Sequence, residues 1–167
     1  PVINRCNIFL ENYATLSDAD KKKMEGRRGE ILFLRTYAYF ILSNTFGAVP
    51  IMTKSVSGMP ENFYYPKGTL EELYSMLIND MKEAVEILPA TTGDLGRITK
   101  PAAATFLAKL FLVRAQGAEF QNSSEPTLKA LYKGTDSEDL DNAIKYATVA
   151  INQKQNESAY GGLAPDF

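Results

Sequence analysis

The sequence predicts an all-α fold, an array of helices joined by long loops and built without a sheet. Three observations point there. Apolar residues recur at three- and four-residue steps in five separate stretches. Helix-starting and helix-stopping residues bracket those stretches. No run alternates apolar and polar residues over the length of a strand.

The first stretch is short, with Ile3, Cys6, Phe9, Leu10 and Tyr13 at helical spacing. The second begins at Ser17, whose hydroxyl suits an N-cap, and Asp18 and Asp20 favour the positive end of the helix dipole. Its expected core face is Met24, Ile31, Leu34, Ala38, Ile41, Leu42 and Thr45; Gly47 ends it and Pro50 follows. Gly26 and Gly29 interrupt it, either to admit a neighbouring backbone or to mark a kink. The third opens with Thr69 and Glu72 in capping-box spacing. It carries Leu70, Leu73, Leu77, Met81, Ala84, Val85 and Leu88 on one face, with Pro89 just beyond.

The fourth runs from Thr99 to about Gly117, with Pro101 in its first turn, where no N–H is needed. Ala102, Ala103, Phe106, Leu107, Leu110, Phe111 and Val113 make it apolar nearly all round, as expected of a helix buried between others. The fifth starts near Asp136 or Ser137 and carries Leu140, Ala143, Ile144, Ala147, Ala150 and Ile151. Its Ala143–Ala147 segment resembles the second helix of a tetratricopeptide repeat, without a regular repeat spacing. The connections 48–68 and 118–135 are long, and loops of that length are often functional.

Composition excludes several functions. The 18 basic and 20 acidic residues give a net charge of −2, with no basic stripe for phosphate neutralisation, so no nucleic-acid partner is expected. The cluster Lys21, Lys22, Lys23, Arg27 and Arg28 is interleaved with acids and reads as a solvated helix face. Histidine is absent, which removes the commonest general base and metal ligand, and no metal site, cofactor or catalytic residue is predicted. The single cysteine, Cys6, makes no internal disulfide and is too isolated for a metal centre. No run of apolar residues is long enough to cross a membrane. Cys6 lacks the small and apolar residues that precede a lipid-anchoring cysteine. The chain opens at Pro1 and closes on the irregular stretch Tyr160–Phe167. It is read as an internal piece of a longer protein.

The segment Glu30–Pro50 resembles the signature of the RagB/SusD family, through Glu30, Phe33, Leu34, Arg35, Tyr37, Tyr39, Phe40, Phe46, Gly47, Val49 and Pro50. Further stretches agree in order: Ile3–Asn7 before it, then Glu71–Tyr74, Asp80, Met81, Ala84, Leu88 and Pro89, then Gly96–Lys100 and the alanine-rich helix that follows. The resemblance implies that residues 1–167 form part of a single SusD-like helical domain, with flanking portions outside it and degenerate tetratricopeptide-like helix pairs within. It also implies a surface-exposed lipoprotein of the bacterial outer membrane, anchored by a lipid outside this segment. Such a protein binds nutrient oligosaccharides without catalysis and hands them to a TonB-dependent, SusC-like transporter. The alternative is a tetratricopeptide-like scaffold for protein interactions.

The signature residues Glu30, Phe33, Arg35, Tyr37, Phe40, Phe46, Gly47 and Pro50 have a structural reading. Arg35 is expected to pair with Glu30 or Glu83 across helices, and Tyr37 and Tyr39 to bury their rings while their hydroxyls find partners. Glu71 and Glu72 invite comparison with a glycosidase carboxylate pair, but neighbouring helical residues diverge and Glu72 is a cap. Gly96–Lys100 could hold an anion at a helix start, yet a turn explains it. The expected ligand contacts are Asn62, Tyr64 and Tyr65, beside Phe63 and between Pro60 and Pro66. Sugar rings stack on aromatic faces, and Asn and Tyr bond sugar hydroxyls. Phe120, Gln121 and Asn122 are weaker candidates.

Overall fold

The computed structural model describes residues 1–56, 58, 64–94, 96–116 and 136–155. They form five helices: α1 (Val2–Ala14), α2 (Asp18–Phe46), α3 (Leu70–Ile87), α4 (Lys100–Gln116) and α5 (Asp136–Gln155). No strand occurs among the described residues, and no helix there is long and apolar enough to cross a membrane. Each helix packs on the next in sequence, as in an array of helical hairpins.

The ends form as the capping chemistry requires. Ser17 accepts from the Asp20 N–H, and Thr69 and Glu72 close a reciprocal capping box. Gly47 ends α2 at φ +70°, a conformation that disfavours any residue with a Cβ.

The core lies between α2, α3 and α4. All seven apolar residues expected on α3 are buried, from Leu70 to Leu88. From α4 come Ala103, Ala104, Phe106, Leu107, Leu110 and Phe111. Phe106 is the meeting point of three rings of α2, at 5.5 Å from Phe33, 5.7 Å from Tyr37 and 5.3 Å from Phe40, centroid to centroid. Gly29 lets α2 and α3 approach closely, since a Cβ there would lie 2.8 Å from Leu88 Cγ, whereas one at Gly26 would meet nothing. The two glycines thus differ, and only Gly29 is a packing residue.

Several expectations about α2 are corrected. Its buried side is Gly29, Leu32, Arg35, Thr36, Tyr39, Phe40 and Ser43, offset by one position from the expected face. Leu34 and Ile41, placed in the core from the sequence, are 41% and 47% exposed. Tyr37 does not bury its ring either; at 47% exposed, it lies stacked beside Phe33 and tilted against Phe106. The physical reason is that α2 buries polar side chains. One position is roughly 100° of helix rotation, enough to carry a face from core to solvent.

Arg35 pairs with Asp80 of α3, not with Glu30 or Glu83. Its Nε and Nη2 donate to the two carboxylate oxygens of Asp80, each at 2.8 Å, and its Nη1 donates to Asn7 Oδ1. Glu30 accepts instead from Arg97 and Glu83 from Arg28. On α5, Leu140, Ile144 and Ile151 are exposed, while Ala143 and Ala150 are buried. Arg114 of α4 grips the buried Asp139 through two hydrogen bonds, which turns α5 so that Ala143, Tyr146, Val149 and Ala150 face the core.

Candidate functional site

The loop between α2 and α3 is held by side chains whose positions follow from helix geometry. Asn4, Asn7 and Glu11 stand three and four residues apart on one face of α1. All three reach the chain that leaves α2. Asn4 Nδ2 donates to the Val56 carbonyl at 3.1 Å, and Val56 N–H donates back to Asn4 Oδ1 at 2.7 Å. Asn7 Nδ2 donates to the carbonyls of Met52 and Lys54. The Glu11 carboxylate accepts from the N–H and the hydroxyl of Ser55, which holds its pKa below the ordinary glutamate range.

Tyr39 completes the attachment from α2. Its hydroxyl accepts from Met52 N–H at 2.6 Å and donates to the Met52 carbonyl at 3.1 Å. Burial pushes the phenol pKa up, so the donating proton is kept. Asn7 joins this attachment to the core, because its Oδ1 is the acceptor for Arg35. Residues 52–56 thus form a strap across α1, and a groove of about 390 Å³ lies beneath it, lined in part by Ile3, Asn4, Tyr39, Leu42, Val49 and Met52.

The two arms of the loop meet at its base. Gly68 N–H donates to the Val49 carbonyl at 3.1 Å. A Cβ at Gly68 would sit 2.5 Å from Ile51 Cδ1, so only glycine allows this closure without displacing Ile51. The result is a closed loop whose outgoing arm is bonded to α1 and α2. The returning arm carries Tyr64, 78% exposed, and Tyr65, 38% exposed. Asn62 and Phe63 lie outside the described residues, as do Phe120, Gln121 and Asn122. The exposed tyrosines present aromatic faces, the chemistry suited to stacking on a sugar ring.

The other candidate residues fall elsewhere. Glu71 and Glu72 are exposed, and Glu72 is engaged by Thr69, whose backbone and hydroxyl donors lower its pKa. Gly96 takes φ +85° in the turn before α4, and the N–H of Lys100 is bonded to the Pro89 carbonyl rather than offered to an anion. No cluster of metal-ligating side chains occurs among the described residues. Of the signature residues, Arg35 and Phe40 are buried, and Phe33 is half-buried against the core. Gly47 and Pro50 open the loop, whereas Phe46 is 68% exposed. Sequence reasoning missed the stripe Asn4, Asn7, Glu11. Its spacing was visible, but three polar residues on one helical face also describe a solvated surface.

Comparison with known proteins bears on what this arrangement serves. Residues 2–112 match the SusD-like family described as "Starch-binding associating with outer membrane". A SusD-like protein of Formosa agariphila, P2, is 29% identical over 124 residues, which cover 74% of this chain and 24% of that protein. A crystal structure with a xylogluco-oligosaccharide is 27% identical, with a TM-score of 0.71 over 89% of this chain and 27% of the other. A SusD superfamily protein of Parabacteroides distasonis shares the fold at 22% identity, with a TM-score of 0.71 over 92% of this chain and 30% of that one. The chain thus spans about a quarter of the length of the relatives it matches.

Proposed function

The chain belongs to the SusD-like family, and from that premise we propose that it forms the helical part of a surface lipoprotein that captures nutrient glycans at the bacterial outer membrane. The whole protein delivers the captured oligosaccharide to a TonB-dependent, SusC-like transporter and performs no chemistry on it. In this segment the sugar contacts are Tyr64 and Tyr65, together with Asn62.

One observation carries the assignment. The loop is bonded along its outgoing arm and closed at its base, yet it leaves Tyr64 78% exposed. Anchoring the outgoing arm and the base of the loop in advance reduces the ordering cost when a ligand settles on the aromatic face. Solvent exposure of a tyrosine on a loop fastened along its outgoing arm is the pattern of a recognition surface.

Calorimetric titration of the intact protein against a panel of oligosaccharides tests this. Tyr64→Ala is expected to weaken binding by about 1 kcal/mol or more while leaving the denaturation midpoint in place. If Tyr64→Ala and Tyr65→Ala both bind every oligosaccharide as the parent does, the loop is only structural. Recovery of the protein with outer membranes, and its crosslinking there to a large barrel protein, tests the partner; an exclusively cytoplasmic product rejects it.

A further inference from the structure

A second surface combines an aromatic floor with charge, and it lies on the opposite flank of α2 from the strap. Glu30, Phe33, Leu34 and Tyr37 of α2, with Arg97 and Ile98 from the turn before α4, line an open groove of about 430 Å³. That volume is within the range of small-molecule sites. Its floor is a stacked pair: the rings of Phe33 and Tyr37 lie 6.4 Å apart at an interplanar angle of 12°, with Tyr37 47% exposed.

Two basic groups meet one acid at the edge of this groove: Arg97, which lines it, and Arg27, which reaches it through Glu30. Arg97 and Arg27 both reach Oε2 of Glu30, at 2.5 and 3.5 Å, so two guanidinium groups share one carboxylate. No other carboxylate pairs with either group among the described residues. The Arg97 side chain remains 32% exposed and that of Arg27 51%, which leaves donors on both facing solvent. An exposed flat aromatic face takes the C–H face of a pyranose ring. A guanidinium fork with spare donors takes a carboxylate.

We propose that this groove binds one acidic sugar unit, a hexuronate, with its ring on Tyr37 and its carboxylate on Arg97 and Arg27. The proposal rests on the glycan-binding reading and adds a charge class to it. It makes the flank of α2 a subsite separate from the tyrosine loop, and it makes affinity for acidic glycans sensitive to salt.

The experiment titrates an oligogalacturonate and a neutral gluco-oligosaccharide of equal length into the full-length protein at low and moderate ionic strength. The oligogalacturonate is expected to bind more tightly at low salt. Tyr37→Ala and Arg27→Gln should each weaken it about fivefold, with neutral binding unchanged. Arg27 lies at the surface, so Arg27→Gln reports on the site even where Tyr37→Ala disturbs packing against Phe106. The proposal is overturned if the oligogalacturonate binds no better than the neutral ligand, or if neither substitution affects it. Neutral binding lost in Tyr64→Ala, without any preference for the acidic ligand, sinks this subsite and leaves the loop reading standing. Failure of every oligosaccharide to bind sinks both.

Discussion

Replacing Asp80 by Asn tests the central polar contact of the fold. The amide keeps the shape of the carboxylate but removes its charge, so Arg35 is left buried with half a partner. The two side chains are 10% and 12% exposed, too little for water to restore what is lost. Breaking a buried pair from one side costs about 3–5 kcal/mol. The two charge-assisted bonds at 2.8 Å, worth about 1.5–3 kcal/mol each, bracket the same range. Burial pushes the Asp80 carboxyl up in pKa while Arg35 pulls it down, and a buried ion pair replaced on both sides by apolar residues of similar volume is often neutral in stability. Replacing both partners, Arg35→Met with Asp80→Leu, is therefore expected to cost far less than either single change. A residual loss of about 1 kcal/mol remains, because Asn7 Oδ1 loses its donor. Urea denaturation followed by far-ultraviolet circular dichroism measures all three, since the chain has no tryptophan to report otherwise. The reasoning fails if Asp80→Asn lies within about 1 kcal/mol of the parent, or if the double variant is as damaged as the two single changes added together.

Further outcomes follow from the same contacts. Gly26→Ala should stabilise by up to about 1 kcal/mol through helix propensity, whereas Gly29→Ala should destabilise, because overpacking against Leu88 costs about 1–3 kcal/mol; equal midpoints for the two would refute the close approach. Phe106→Ala should cost about 3–5 kcal/mol and Leu34→Ala, at an exposed position, about 0.5 kcal/mol or less, both read from denaturation midpoints. The Glu72 carboxyl is held below its ordinary pKa by its bonds to Thr69, so the folded state binds its proton less readily than the unfolded chain. Its contribution is therefore full above the ordinary glutamate range, about 4.3, and disappears as the pH falls through the folded value. The stability gap between the parent and Glu72→Gln should close on acidification, and a gap independent of pH would contradict the cap.

What the sequence made legible depended on whether a helix buries only apolar side chains. α3 does so at nearly every core position, and the face read from its leucines is the face observed. α2 buries Arg35, Thr36 and Ser43 beside Tyr39 and Phe40, so its hydrophobic pattern points one position away from its core. The partner of Arg35 was beyond periodicity as well. Asp80 is 45 residues distant, and nothing local distinguishes it from Glu83 on the same helix. On α5 Leu140, Ile144 and Ile151 face outward because Asp139 is drawn inside by Arg114. The tyrosines of the loop were visible as a cluster between prolines; what fastens the loop lay in a different helix altogether.

The way α1 fastens the strap has an evolutionary consequence. Asn4 and Asn7 address main-chain atoms of Met52, Lys54 and Val56, not their side chains. Residues at those positions are therefore interchangeable as far as attachment is concerned, with proline excluded at 52 and 56, where the N–H is used. Heritable variation is confined by the helix and tolerated by the strap. A lineage can remodel the chemistry displayed along this edge, one substitution at a time, and keep the same mounting throughout.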